Sequence, residues 1–162
     1  MFNADAKNAV CLITGASRGL GRAIALAAAS NGLNVGINYY SSQHAALQLE
    51  AELRNKGVNA YAVKADVGCK QDVDNMFAKI EYQLGPVSML INNAGISLRA
   101  LITETTEWQW QRVMDTNLKG AFLCSQRALS HMIRNRFGRI INITSVWGIT
   151  GAAFESVYAA SK

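Results

Sequence analysis

Short apolar runs and longer amphipathic stretches alternate along the chain. Runs of strand length occupy positions 9–13, 34–38, 60–63, 88–91 and 139–143 and predict five strands. Between them, the spacing of apolar residues predicts helices over 19–31, 43–56, 70–84 and 106–135, with a further helix beginning near Tyr158. This alternation, without repeats or linkers, predicts one α/β domain across residues 1–162: a doubly wound parallel sheet with right-handed crossovers and helices on both faces. Apolar runs such as MLI (89–91) and IINI (140–143) fit strands covered on both sides. A strand order of 3-2-1-4-5 places a ligand crevice at the carboxyl ends of the first and fourth strands.

The loop after the first strand carries the first chemical signal. TGASRGLG (14–21) joins that strand directly to the helix-forming stretch RAIALAAAS. Strand, glycine turn and helix in this order make a phosphate-binding arrangement. Gly15 lets the chain turn off the strand. Gly19 and Gly21 remove side chains where backbone must approach a pyrophosphate and where helix packs on strand. The helix start then offers unpaired N–H groups and a positive dipole end to an anion.

The second signal lies at the other end. Tyr158 and Lys162 are one helical turn apart, so both side chains leave the same face. A phenol beside an ammonium is a better proton donor than a phenol alone.

Composition narrows the reading. Half of the residues are hydrophobic, ample for a core. No apolar stretch reaches membrane-spanning length, and the opening MFNADAK lacks the order of a signal peptide. Cys11, Cys69 and Cys124 are odd in number and lack metal-ligand spacing, so no metal site is expected; reduced thiols in a cytoplasm are. The formal net charge is +5, but the cations are scattered, without a basic run or an aromatic platform. Nucleic acid is therefore not an expected partner. A mildly basic surface suits an anionic cofactor and an acidic carrier protein.

Together these residues resemble the short-chain dehydrogenase/reductase family, whose glycine spacing Gly-x-x-x-Gly-x-Gly the loop matches at Gly15, Gly19 and Gly21. The resemblance runs through Asp66 in KADV, LINNAG (90–95), Asn117 in MDTNLKGAF, Ser145 in RIINITSVWG, and Tyr158 with Lys162. It implies a Rossmann-like fold and a nicotinamide cofactor. The implied cofactor contacts are Gly15, Ser17, Arg18, Gly19, Leu20, Gly21, Tyr39, Ser41, Asp66, Val67, Asn93, Ala94, Gly95, Tyr158 and Lys162. The implied catalytic set is Asn117, Ser145, Tyr158 and Lys162.

In a carbonyl reduction, negative charge builds on the carbonyl oxygen, which needs donors in place and a final proton. Tyr158 is the natural acid, and Ser145, expected at the end of the fifth strand, a second donor. By the resemblance, Lys162 activates the phenol and bonds the nicotinamide ribose, while Asn117 holds a water in a relay to the lysine. Asn117 lies on an apparent apolar face with Val113, Met114, Leu118, Ala121 and Phe122, where an amide costs free energy unless partnered. NAD-preferring relatives carry an acid after the second strand; here Tyr39 or Tyr40 stands there, followed by Ser41 and Ser42. With Arg18 in the loop, NADP(H) is expected over NAD(H).

For substrate, the chain resembles bacterial 3-oxoacyl-(acyl carrier protein) reductases. SVWGITGAAFESVYAASK (145–162) more narrowly resembles the elongation factor P aminopentanone reductases, which reduce a ketone on a modified lysine of a translation factor. Those commonly carry Ser-Cys-Glu where this chain has Ala153-Phe154-Glu155. Glu155 is then either a partner for a substrate amine or a helix-start carboxylate, and Trp147 a pocket wall or packing. The substrate is thus a carbonyl compound, free or linked to a carrier or other protein. Apolar residues on more than one side of the fourth helix (Phe122, Leu123, Leu129, Met132, Ile133) suit a dimer or tetramer. Family members continue past the lysine, so the chain reads as a fragment, inactive or poor by itself, with its end carboxylate beside the Lys162 ammonium. A non-catalytic, cofactor-binding regulator is the alternative if 162 residues is the natural length.

Overall fold

The computed structural model describes residues 9–162; MFNADAK, the opening segment weighed above as a leader, lies outside them. Five strands form one parallel sheet: β1 (Val10–Ile13), β2 (Asn34–Tyr39), β3 (Ala60–Lys64), β4 (Val87–Asn92) and β5 (Arg139–Asn142). Their order is β3-β2-β1-β4-β5, as the alternation of elements predicts. Helices α1 (Gly19–Ser30), α2 (Gln43–Asn55) and α3 (Lys70–Leu84) make the first three crossovers.

Alternate residues of each strand feed two cores. Cys11 and Ile13 of β1, Val35 and Ile37 of β2, and Met89 and Ile91 of β4 join Ala25, Leu49 and Leu53 on the α1–α2 face. Leu12 and Leu90 point the other way, onto Val73, Phe77 and Ile80 of α3 and onto Leu123 and Cys124. Burial of the thiols pushes Cys11 and Cys124 up to about 12, which makes both poor nucleophiles.

Three expectations need correction. The strand around IINI is not covered on both sides: Arg139, Ile141 and Asn142 are exposed, because β5 is the last strand of the described sheet. The long fourth helix is three pieces, α4 (Glu107–Met114), a π turn at Asp115–Lys119, and α5 (Gly120–Arg134). Its buried stripe runs through Val113, Thr116, Asn117, Gly120, Cys124 and Ala128, while Leu118 and Phe122 face outward. The apolar residues flanking Asn117 thus straddle two faces, because a helix places residues three and four apart in register, not neighbours. Finally, β5 is followed by a short helix the pattern does not predict, α6 (Trp147–Thr150); the helix expected near Tyr158 is α7 (Ser156–Ser161).

Candidate active site

The carboxyl ends of β1 to β4 are tied together by three polar side chains. Thr14 Oγ1 accepts from the N–H groups of Asn93 and Ala94, each at 3.0 Å. Asn93 Nδ2 donates back to the carbonyls of Thr14 (2.8 Å) and Gly15 (3.1 Å). Asn38 accepts from Gly15 N–H and donates to the Ala65 carbonyl. Backbone groups that leave the sheet are thereby satisfied without closing the space in front of them. Thr14 and Asn38 carry no functional signal of their own in the sequence; their position at strand ends is what would have found them.

That space is a cleft of about 370 Å³. Every cofactor contact expected from the sequence, other than Tyr158 and Lys162, lines it: Gly15, Ser17, Arg18, Gly19, Leu20, Gly21, Tyr39, Ser41, Asp66, Val67, Asn93, Ala94 and Gly95. The cleft has the shape of a phosphate cradle. Gly19 has φ +56° and open space where a side chain would stand. A Cβ on Gly21 would lie 2.5 Å from the Gly15 oxygen. No acidic residue occupies the first turn of α1, and Arg18, its N-cap, makes no side-chain cap, so the helix start keeps its N–H groups for an anion. These residues fit a dinucleotide.

Arg112 also lines the cleft, and the sequence reading missed it. It pairs with Asp66 Oδ2 at 2.8 Å and lies over the Tyr40 ring, 5.1 Å from its centroid. The hydrogen bond to Asp66 raises the Arg112 pKa further. Asp66 accepts from Gly68 N–H through its other oxygen. The available signal was spacing: Arg112 and Thr116 are four apart and both reach the cleft, one row round from Val113.

Of the four residues expected to be catalytic, Lys162 and Asn117 lie against Gly95 of this cleft. Lys162 Nζ donates to the Ile143 carbonyl at 2.9 Å, and a Cβ placed on Gly95 would lie 3.1 Å from Nζ. No side-chain carboxylate of the described residues pairs with that ammonium. Ser145 lies three residues beyond the end of β5, not on it, and its Oγ accepts from Trp147 N–H at 3.2 Å. Tyr158 is half-buried on α7. Gly148 of α6 packs on Lys162 so closely that a Cβ there would sit 2.6 Å from the lysine carbonyl carbon. Asn117, at the centre of the π turn, is buried, and both groups of its amide are used by backbone and by Ser161. π turns of this kind recur at functional sites because they push one residue out of helical register.

Burial lowers the pKa of Lys162. The sign follows from linkage: the native state binds this proton less tightly than the unfolded chain, so burial of the charge opposes folding at neutral pH. That penalty is relieved as pH rises from the lowered native value toward the unfolded value near ~10.4. NMR titration of isotopically labelled lysine should therefore find one ammonium titrating below the others and lost in Lys162→Met. A uniform set of titrations at the ordinary value would contradict the geometry.

The family model described as short chain dehydrogenase matches residues 9–162. The chain is 43% identical over 155 residues to 3-oxoacyl-(acyl-carrier-protein) reductase FabG of Staphylococcus epidermidis, covering 96% of this chain and 64% of that protein. It is 41% identical over 153 residues to 3-oxoacyl-(acyl-carrier-protein) reductase of a Synechocystis species, covering 94% and 62%. A short-chain type dehydrogenase/reductase of Picea abies is 40% identical over 161 residues, covering 94% and 59%. The chain belongs to the short-chain dehydrogenase/reductase family. It spans less than two thirds of the length of these relatives.

Proposed function

We propose that the whole protein reduces a ketone to a secondary alcohol at the expense of NADPH, acting on a β-ketoacyl thioester held by acyl carrier protein. The observation that carries this reading is at Gly95. The last glycine of the dinucleotide cleft lies against the Lys162 ammonium, so cleft and Tyr-x-x-x-Lys helix meet at one residue. The names of the two bacterial relatives support the substrate class.

A bound nicotinamide supplies the hydride. The glycine loop and the start of α1 would hold the pyrophosphate, and Asp66 with Val67 would border the adenine end. Tyr158 gives its proton to the forming alkoxide. Ser145 donates a second hydrogen bond to the same oxygen. The Lys162 ammonium, held by the Ile143 carbonyl against Gly95, would hold the cofactor's ribose. The Asn117 amide is taken up by Ile96 and Ser161, so a relay water passing a proton to the lysine would rest on the Asn117 backbone carbonyl.

The preference for NADPH is supported by the end of β2. Tyr39 is buried, Tyr40 is exposed, and Ser41 and Ser42 follow, so no carboxylate repels a 2′-phosphate there. Arg18 is exposed at the rim of the cleft. Arg18→Ala should raise the KM for NADPH about 10-fold and leave that for NADH within about 2-fold, by loss of one charge-assisted contact. An unchanged preference would remove Arg18 from the reading.

A homo-oligomer of two or four chains is proposed from the exposed Trp108, Phe122 and Ile133 on α4 and α5. A cytoplasmic location is proposed from three cysteines that are all free thiols. No helix of the described residues is long and apolar enough to cross a membrane, and those residues hold no cluster suited to a metal.

One observation favours a second substrate. Glu155 caps α7 without a side-chain hydrogen bond to it, and its Oε2 is buried with no partner. A substrate amine would satisfy that oxygen, as the aminopentanone group on elongation factor P would. NADPH oxidation by the whole protein, with a β-ketoacyl thioester and with the modified factor in parallel, decides between them. Fast turnover of the thioester alone supports the first reading; fast turnover of the modified factor alone replaces it.

A further inference from the structure

A one-way chain of hydrogen bonds joins the cofactor cleft to the helix bearing Tyr158 and Lys162. Asn117 Oδ1 accepts from Ile96 N–H at 2.8 Å. One Nδ2 proton goes to the Ile96 carbonyl at 2.9 Å, and the other to Ser161 Oγ at 2.8 Å. Turning the amide over would set oxygen against oxygen and N–H against N–H, so its orientation is fixed by its partners. Ser161 therefore receives a proton from Asn117 and must send its own elsewhere. It donates to the Tyr158 carbonyl at 2.7 Å. Ser161 is 4% exposed, so water offers neither group a substitute. Only a side chain that both accepts and donates at this short reach completes the chain.

The two ends of this chain matter. Ile96 follows Gly95, on which a Cβ would lie 3.1 Å from Lys162 Nζ and 3.4 Å from Asn117 Oδ1, and both residues line the cleft. Tyr158 carries the proposed acid. Asn117 sits on a π turn, displaced from the regular helix, and reaches both. A six-residue helix has little stability of its own, so its position depends on what it is tied to.

We propose that Ser161 is a positioning residue for the reduction. Its hydroxyl fixes the backbone of Tyr158 to the Asn117–Ile96 junction, and so sets the phenol relative to the cleft. It touches neither cofactor nor substrate and acts through Tyr158. The proposal rests on the reading of Tyr158 as the acid.

The test is a double-mutant cycle in the whole enzyme, with kcat, KM, NADPH affinity and thermal midpoint measured for each variant. Ser161→Ala should lower kcat about 10- to 100-fold, the scale of a small misplacement of a reacting group, with NADPH affinity within about 3-fold. Ser161→Cys keeps the volume but bonds weakly, and should lose activity similarly while remaining folded. Ser161→Thr restores a hydroxyl and should recover most of the rate. Added to Tyr158→Phe, Ser161→Ala should slow turnover no further, since its effect passes through the phenol. A further loss of the same size in that background overturns the proposal, as does wild-type kcat in both Ser161→Ala and Ser161→Cys. Tyr158→Phe alone reports separately on the acid: full activity there overturns the reading of Tyr158 itself.

Discussion

Tyr158→Phe should lower kcat for ketone reduction by roughly 10³-fold, about 4 kcal/mol of transition-state stabilisation. The replacement deletes one hydroxyl from a half-buried ring and leaves the α7 backbone in place. NADPH affinity should change by less than about 3-fold, because the glycine loop, Asp66 and Asn93 that line the cleft are untouched. Lost turnover with retained cofactor binding is the signature of a group used only in the transition state. Stopped-flow NADPH oxidation with fluorescence-monitored binding measures both. Equal loss of binding and rate would instead assign Tyr158 to holding the cofactor.

Gly21→Ala should abolish useful cofactor binding and destabilise the fold together. The new methyl would lie 2.5 Å from the Gly15 oxygen, 2.6 Å from Asn93 Nδ2 and 2.9 Å from Ala16 Cα. Two of these are backbone atoms, and the third is an amide already bonded to Thr14 and Gly15, so none can move alone. Overpacking costs about 1–3 kcal/mol, and each displaced hydrogen bond of Asn93 adds about 1 kcal/mol. A thermal midpoint lower by roughly 6–12 °C is expected, with NADPH affinity weakened at least about 100-fold, the scale of a 1 Å misplacement. Gly57→Ala is the control. Gly57 has φ +86° but open space around it, remote from the cleft, so that change should cost only about 1–2 kcal/mol of backbone strain and leave NADPH binding intact. Calorimetry on both variants separates the effects; equal binding losses would detach the cradle from the close approach at Gly21.

The parts of the fold carried by local pattern were legible before any coordinates. The strands differ from their expected bounds by one residue at most ends; for β1, β2 and β4 the apolar runs are fixed by burial on both faces. The glycine loop was legible for a different reason: positions that tolerate no Cβ write themselves as glycine, as Gly15 against Ala94 and Gly21 against Gly15 illustrate. The π turn at Asp115–Lys119 was not legible: Asp115, Thr116 and Asn117 are weak helix formers, but composition does not separate a π turn from an α-helix. Arg112 escaped because its partners, Asp66 and Tyr40, are 46 and 72 positions earlier in the chain. Ser161 carries no signal in the sequence, because the Asn117 amide that bonds it lies 44 positions earlier. Long-range polar contacts leave no period in the sequence, and they account for most of what the pattern missed.

The central claim is that a cofactor hydride and a protein-borne proton meet at one carbonyl between the Gly95 loop and Tyr158. Turnover of a β-ketoacyl thioester by the whole protein with NADPH dideuterated at C4 of the nicotinamide tests it most directly. Mass spectrometry should find one deuterium on the carbinol carbon of the β-hydroxyacyl product, with none acquired there from deuterated solvent. An unlabelled carbinol, or NADPH bound without any ketone reduced, would contradict the account.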